Sequence, residues 1–475
     1  MGIRLGCIAD DFTGATDLAN NLVRAGMRVV QLIDVPPAGV GAAHVVGAAQ
    51  VVDADAVVIA LKSRTVPAAD AVEASLRALA WLRSAGAAQI YFKYCSTFDS
   101  TPAGNIGPVT EALMDALGTG FTVATPAFPD NGRTVFKGHL FVGDVLLSES
   151  GMRHHPLTPM TDSNLVAVLG AQTERTVGLI DHTAVAAGAE AIRARIDDLR
   201  EDGFGLAVVD AVSNDDLVRL GAAVQGLPLV TAGSGLAIGL PANWGFEPSS
   251  AAAKLPPPGG HAAVVSGSVS AATNRQVREF LRTGRPAFSV DPLRIAAGED
   301  VAGQALAFAE SHLANGPVLV HSTEAPDTVR TVQGRLGAAE AGELVERTLA
   351  RVARGLVERG VRRLVVAGGE TSGAVVQELG VTGLRIGPQI DPGVPWCAAV
   401  LPDGDTLHIT LKSGNFGGPG FFTDAFALLA AGASAHPDDN ATTLPDKDTS
   451  ALPDDAASAL PDDDATALPD KEARS

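Results

Sequence analysis

The chain has 475 residues with 35 basic and 54 acidic side chains and a formal net charge of −19, which argues against a nucleic-acid binder, since that would need a basic face. No apolar run reaches the roughly 18 residues of a membrane span, and the N-terminus carries no basic segment followed by an apolar stretch of the secretory kind. Cys7, Cys95 and Cys397 lie too far apart for a disulfide framework or zinc spacing, so a reducing cytoplasm is expected, with room in the length for two or three domains.

The first segment, "IRLGCIA" at 3–9, is predicted to be a buried strand. Asp10 and Asp11 follow it, then Phe12, Thr13 and Gly14. Ala15, Leu18, Ala19 and Leu22 then recur at i, i+3, i+4 and i+7, the apolar face of a helix. One aspartate on a strand-to-helix turn is explained as an N-cap. Two adjacent carboxylates repel unless a sugar hydroxyl, a metal ion or a basic side chain lies against them. In open α/β sheets ligands sit at strand ends, so a functional role is expected for this pair.

Further predicted strands in the first half are "MRVVQLI", "AVVIAL", "QIYFKY", "FTVATPA" and "GLAVVDA". Polar loops accompany several of them. "ALKSRTVP" carries Lys62, Ser63 and Arg64; "FKYCSTFDSTPAGN" carries Lys93, Ser96, Thr97, Asp99, Ser100 and Asn105. "PAFPDNGRTVFKGHLFV" carries Asp130, Asn131, Arg133, Lys137 and His139; "SESGMRHHPLTPMTDSNL" carries Arg153, His154, His155, Thr158 and Asp162. Amides and acids that bind hydroxyls, mixed with Arg and Lys that bind carboxylates, suit a small polyhydroxy acid. The two histidines lack a third ligand at zinc spacing.

"EPSSAAAKLPPPGGH" at 247–261 reads as a stiff connector. It divides the chain into a substrate-binding domain 1–247, a linker 248–260 and a nucleotide-binding domain 261–436. The second domain offers "HAAVVSG", "GPVLVHS" and "RRLVVAGG" as strands, and three Gly-rich strand exits: "VVSGSVS", "VVAGGETSGAVV" and "LKSGNFGG". The helix after Thr371 and the backbone freedom of glycine favour phosphate. None of these stretches is a Walker A or a G-x-G-x-x-G sequence. Alternation of β-branched runs with helical patterns throughout predicts an α/β protein of two domains with mostly parallel sheets covered by helices.

The blocks "IADDFTGATD", "KYCSTFDST", "PAFPDNGRTV", "TAGSG", "SGSVS", "AGGETSG" and "LKSGNFG" resemble, in order, those of the four-carbon acid sugar kinase family, from residue 3 to about 430. "KYCSTFDSTPAGNIGP" and "HPLTPMTDSNL" are most similar to its branch acting on 3-oxo-tetronate rather than on threonate. The resemblance implies transfer of the ATP γ-phosphoryl to the C4 hydroxyl of the acid, with the acid on the first domain, ATP on the second and the active site in the cleft between them. It carries ATP binding over to Ser266, Gly368, Gly369, Glu370, Thr371 and Gly414. On this reading Asp11 or Asp10 orients or deprotonates the hydroxyl, and Mg²⁺ sits on the phosphates. Lys93, Arg64 or Arg153 holds the substrate carboxylate, Ser96, Thr97 and Asn131 donate to a keto oxygen, and His154 belongs to the same polar set. The partners are then an acid sugar and ATP, with no nucleic acid or membrane, and a homodimer is compatible. Two other classes remain: a nicotinamide-dependent oxidoreductase, disfavoured because the first strand ends in "ADDFTG", and an ATP-gated sensor of the acid without turnover.

From Pro437 to Ser475 the sequence repeats an eight-residue unit with Leu444, Leu452, Leu460 and Leu468, and it holds 11 acidic and 3 basic residues. One leucine per repeat cannot offset ordering entropy, so this tail is read as a disordered appendage. Deleting 437–475 should leave kcat and the melting temperature nearly unchanged. A fall in kcat beyond about tenfold, or 1.4 kcal/mol of barrier, would place the tail in the active unit.

Overall fold

Strands β1 (Leu5–Ala9), β2 (Val29–Ile33), β3 (Ala56–Ala60), β4 (Gln89–Lys93) and β5 (Thr122–Thr125) build the first half, together with β9 (Val177–Ile180), β10 (Leu206–Val209) and β11 (Leu229–Ala232). Between β5 and β9 a small antiparallel sheet holds β6 (Arg133–Phe136), β7 (His139–Val142) and β8 (Val145–Leu146). The second half holds β12 (His261–Ser266), β13 (Ala287–Ser289), β14 (Val318–His321), β15 (Val361–Ala367), β16 (Gly383–Asp391), β17 (Val394–Val400) and β18 (Thr406–Lys412). The computed structural model describes residues 2–37, 53–98, 101–154, 158–322, 334–335 and 337–434; Asp99, Ser100, His155 and the repeats 437–475 lie outside them.

All strands except the small sheet join in one 15-stranded sheet, ordered β13-β14-β12-β15-β18-β17-β16-β2-β3-β1-β4-β11-β5-β10-β9. The expected α/β class with mostly parallel strands is found, and helices cover the sheet. The predicted strands are present; β9, β11, β13 and the antiparallel β16–β17 hairpin were not anticipated. The helix face Ala15, Leu18, Ala19 and Leu22 is fully buried on the helix Phe12–Arg24, as its periodicity requires.

The halves meet along the sheet itself. β16 pairs antiparallel with β2 through Gly383↔Leu32, Leu384↔Gln31 and Arg385↔Val30. β17 and β18 then restore a parallel run with β15. A flat sheet would therefore aim the carboxyl ends of β1 and β15 at opposite edges. Six strand-to-strand steps separate them, and roughly 20–25° of twist at each sums to about 120–150°. That rotation turns the two sets of strand ends toward a common cleft.

The segment read as a stiff connector is packed against the second half. Ala252 is buried, His408 Nε2 lies 2.9 Å from the Pro256 carbonyl, and a side chain at Gly387 would strike Leu255. Gly26, at φ +99°, lets the chain turn into β2 beneath this region, and a Cβ there would overlap the Glu247 carbonyl. Gly26→Ala should lower stability by about 1–3 kcal/mol from backbone strain alone, with the overlap added, read as a drop in melting temperature.

Candidate active site

Register places the first cluster. Ala9 of β1 is level with Ala60 of β3 and with Lys93 of β4, so Asp10, the loop 62–64 and Lys93 emerge side by side. The backbone N–H groups of Ser63 and Arg64 donate to the Asp10 carbonyl, and Asn105 Nδ2 donates to the carbonyls of Ser63, Arg64 and Val66. The loop is thereby held against the end of β1.

Four charged side chains close there. Arg64 grips Asp10 through two hydrogen bonds of 2.9 Å and reaches Asp11 at 2.7 Å. Lys93 Nζ lies 3.1 Å from Asp11 and 3.6 Å from Asp10, with its side chain only 3% exposed. Asp11 also caps the helix Phe12–Arg24, accepting from Gly14 N and from the Thr13 hydroxyl. Burial alone would raise the Asp11 carboxyl, but Arg64 and Lys93 outweigh it and hold the group well below the usual carboxylate range. Burial likewise opposes the charge on Lys93, and Asp11 and Asp10 overcome it. Of the two expected roles for Asp11, orienting or deprotonating a hydroxyl, this environment favours the first, since its two cations hold the carboxyl ionised. Arg64 and Lys93, expected to hold a substrate carboxylate, are first of all the counter-ions of the aspartates.

Further along the same helix Asp17 is buried. The Ser234 hydroxyl of "TAGSG" donates to its Oδ2, while Oδ1 has no hydrogen-bond partner. Burial pushes the carboxyl up to about 6, with Ser234 and Lys93 opposing. Asn20 Nδ2 donates to Gln389 of β16 at 2.6 Å, tying this helix to the other half.

The second cluster also follows from register. Ser266 of β12 is level with Ala367 of β15, which is level with Lys412 of β18. The three Gly-rich exits converge so closely that a Cβ on Gly267 or Gly368 would press on Thr371, and one on Gly414 would press on Ser268. The helix Gly369–Glu378 begins two residues before Thr371, earlier than read from sequence, and Gly368 at φ +122° supplies its entry. Thr371 and Ser266 are buried, whereas a Cβ on Gly369 would meet open space.

A cleft of about 230 Å³ joins the clusters. Asp10, Asp11, Thr13, Lys62, Arg64 and Thr65 line one wall, Thr158 adds a hydroxyl, and Gly369, Glu370 and Gly373 line the other wall. Lys62 Nζ and Glu370 meet across it at 3.0 Å, each 68% exposed. Lys62 was quoted within its loop from sequence but given no role. Ser96, Thr97, Asn131 and Arg153 do not line this cleft. Thr97 is bonded to Cys95 at 3.0 Å, and Arg153 donates to Ser148 in its own loop. Asn131 accepts from Arg133 through its carbonyl, and His154 ends the turn Gly151–His154.

Residues 5–240 match the family model of a sugar-binding N-terminal domain, and residues 263–422 that of a nucleotide-binding C-terminal domain. The chain is 59% identical over 431 residues to a 3-oxo-tetronate kinase of Pseudomonas fluorescens, covering 90% of this chain and 97% of that one. It is 58% identical over 433 residues to a 3-oxo-tetronate kinase of Burkholderia multivorans, covering 90% and 98%. The chain belongs to the four-carbon acid sugar kinase family. A solved structure of a Salmonella typhimurium LT2 protein superposes with a TM-score of 0.79 at 46% identity, over 89% of this chain and 98% of that one. One from Haemophilus influenzae gives 0.75 at 44%, over 89% and 100%. Within this family of kinases the charged cluster thus falls in the sugar-binding match and the Gly-rich exits in the nucleotide-binding match.

Gly14 tests the charged cluster without removing any charge. A Cβ there would overlap Lys93 Nζ and Asp11 Oδ1. Alanine should gain about 1 kcal/mol of helix propensity. Gly14→Ala should instead lower the melting temperature and cut turnover at least about tenfold, measured by thermal melts and a coupled ADP assay.

Proposed function

We propose that the protein is an ATP-dependent kinase that phosphorylates the C4 hydroxyl of 3-oxo-tetronate, giving 3-oxo-tetronate 4-phosphate and ADP. The observation that carries this reading is the cleft in which Asp10, Asp11 and Arg64 face Gly369 and Glu370. The C4 oxygen forms the new bond to the γ-phosphorus as the bond from the β,γ-bridging oxygen breaks and ADP leaves, and the hydroxyl proton, acidified as the oxygen bonds to phosphorus, passes along its hydrogen bond to the Asp11 carboxylate. Asp11, kept ionised by Arg64 and Lys93, accepts the hydrogen bond from that hydroxyl and aims the oxygen at the phosphorus. Phosphoryl transfer of this kind relies on positioning and charge more than on a strong base.

Arg64, which lines the cleft, presents cationic donors to the substrate carboxylate while retaining its aspartates, and the buried Lys93 balances the charge behind Asp11. Thr13, Thr65 and Thr158 bring hydroxyls to the cleft, and these are better placed to donate to a 3-keto oxygen than Ser96, Thr97 or Asn131. Lys62, released from its exposed pairing with Glu370, neutralises charge on the transferring phosphoryl group. Among the described residues no group of three or more His, Cys, Asp or Glu could hold a metal ion. The site residues therefore do not form a magnesium cage, and Mg²⁺ is taken to arrive on the nucleotide.

No helix among the described residues is long and apolar enough to cross a membrane, and Cys7, Cys95 and Cys397 are free thiols; a cytoplasmic setting accords with both. A homodimer is compatible with this reading.

Kinetics on a panel of four-carbon acids test the reading. The 3-oxo acid should turn over faster than D-threonate or D-erythronate; the reverse order would move the protein to the sister activity, and acid binding without ADP release would make it a sensor. Asp11→Asn should lower kcat by ~10²–10⁴-fold with ATP binding intact. Gly369→Val should chiefly raise the Michaelis constant for ATP, since its side chain would fill open space on the nucleotide wall.

A further inference from the structure

Lys412, the last residue of β18, is fully buried. Its Nζ lies 3.0 Å from Thr273 Oγ1 and 3.0, 3.2 and 3.1 Å from the carbonyl oxygens of Ser413, Gly414 and Phe416. The helix Ala271–Arg282 completes this grip. Ser270 Oγ and Thr273 Oγ1 donate to the Gly414 carbonyl at 2.5 and 2.8 Å. Gln276 Nε2 lies within 3.1 Å of the carbonyls of Phe416, Gly417 and Gly418. Five of the six carbonyls between Ser413 and Gly418 are thus drawn inward onto a single buried ammonium and the polar residues of one helix face. Two of the loop's amide N–H groups turn to the protein, Phe416 N to the Ser413 carbonyl and Gly418 N to Asp391, and with the carbonyls drawn in, those of Gly414, Asn415 and Gly417 are left on the other edge. Gly414 of this loop sits against Ser268 of the neighbouring Gly-rich exit.

We propose that Lys412 is a positioning residue for the nucleotide: its ammonium gathers the carbonyls of the 413–418 loop so that the loop's amide edge and a buried positive charge are presented to the ATP phosphates. The inference rests on the reading of the three Gly-rich exits as the nucleotide site. Oxygen acceptors surround Nζ, and a neutral amine, with two hydrogens and a lone pair, would set that lone pair against a carbonyl. The arrangement therefore needs the charged form. Burial nevertheless pushes the group down to about 7, with the carboxylate of Asp391 opposing. Asp391 is itself fixed, accepting from Gly418 N at 2.7 Å. The face of the helix Ala271–Arg282 turned to the loop contributes only the neutral Ser270, Thr273 and Gln276. Bound polyphosphate, being anionic, raises the affinity of Lys412 for its proton. ATP binding should then take up protons, and ATP affinity should fall as the pH rises above about 7.

Isothermal titration of the full chain with ATP and Mg²⁺ at pH 8, in buffers of different ionisation enthalpy, tests this. The wild type should show net proton uptake. Lys412→Met should bind ATP at least tenfold more weakly, with that uptake abolished, while its affinity for the acid substrate stays within twofold. Should the methionine variant not fold, Asp391→Asn keeps a hydrogen-bond acceptor for Gly418 and removes the only opposing charge; its uptake profile should move to lower pH. A merely structural lysine would leave the proton count unchanged. Unaltered ATP affinity and uptake in Lys412→Met, or an unmoved profile in Asp391→Asn, overturns the proposal and leaves the nucleotide site standing. Wild type that binds no ATP overturns the site itself.

Discussion

Two adjacent carboxylates and two cations can leave water together only if every charge finds an opposite one, and the first half of this protein is organised around that condition. A charge in a low-dielectric setting costs several kcal/mol unless it is paired. Asp10, Asp11, Arg64 and Lys93 form a quartet of zero formal charge in which each acid touches both bases. The quartet forms because β1 is flanked on both sides by parallel partners in register, so three strand ends meet at one point. It also fixes the start of the helix Phe12–Arg24, since Asp11 caps that helix with the same oxygen that Lys93 approaches. Glycine at position 14 follows from this, because the lysine occupies the space a side chain would take.

The outline of this site is readable in the sequence; its wiring is not. Short β-branched runs ending in polar or Gly-rich stretches mark the strand exits, and the face of Ala15, Leu18, Ala19 and Leu22 marks the helix. Adjacent aspartates demand something positive or protic beside them, and a basic side chain is one answer. Which base answers depends on pairings 54 and 82 residues away in the chain, set by strand order that no local pattern records. From sequence Arg64 and Lys93 therefore read as ligand contacts alone, although the protein also pairs them with its own aspartates. Thr97 and Arg153 show the converse, since polar residues after a strand can as readily bond within their own loop. Lys412 of "LKSGNFGG" carries no signal of its own in the sequence, because lysine is almost never fully buried unless paired and the glycines dominate that stretch.

The two walls of the cleft solve different problems. On the proposed reading the sugar-side wall offers side chains of balanced charge, which suits an anion whose hydroxyls and carboxylate need several distinct partners. The opposite wall is richer in backbone: Gly267, Gly368 and Gly414 let three loops come within contact of one another, and Gly369 faces open space. Such a wall gains its fixed geometry from behind, through the half-buried Ser270 and the buried Thr273, Gln276 and Lys412. Precision on one side comes from ion pairs, on the other from hydrogen bonds to carbonyls.

Continuity of the sheet constrains how these walls can approach each other. Where two domains are joined by a flexible linker alone, closure is a rotation about that linker. Here the segment 248–260 is anchored through Ala252, Leu255 and Pro256, and the halves share a β-ladder at β2 and β16. That ladder is short, with three residue pairs, and it sits midway between the two sets of strand ends. Twist accumulates over the six steps from β1 to β15, so the relative placing of the two walls is set by strand geometry along the whole run. The exposed Lys62–Glu370 pair that meets across the cleft adds little to this, since surface pairs of this kind are worth at most about 1 kcal/mol. The walls are thus placed by the continuous sheet and the anchored segment 248–260, and the contact across the cleft is weak enough for a charged ligand to replace.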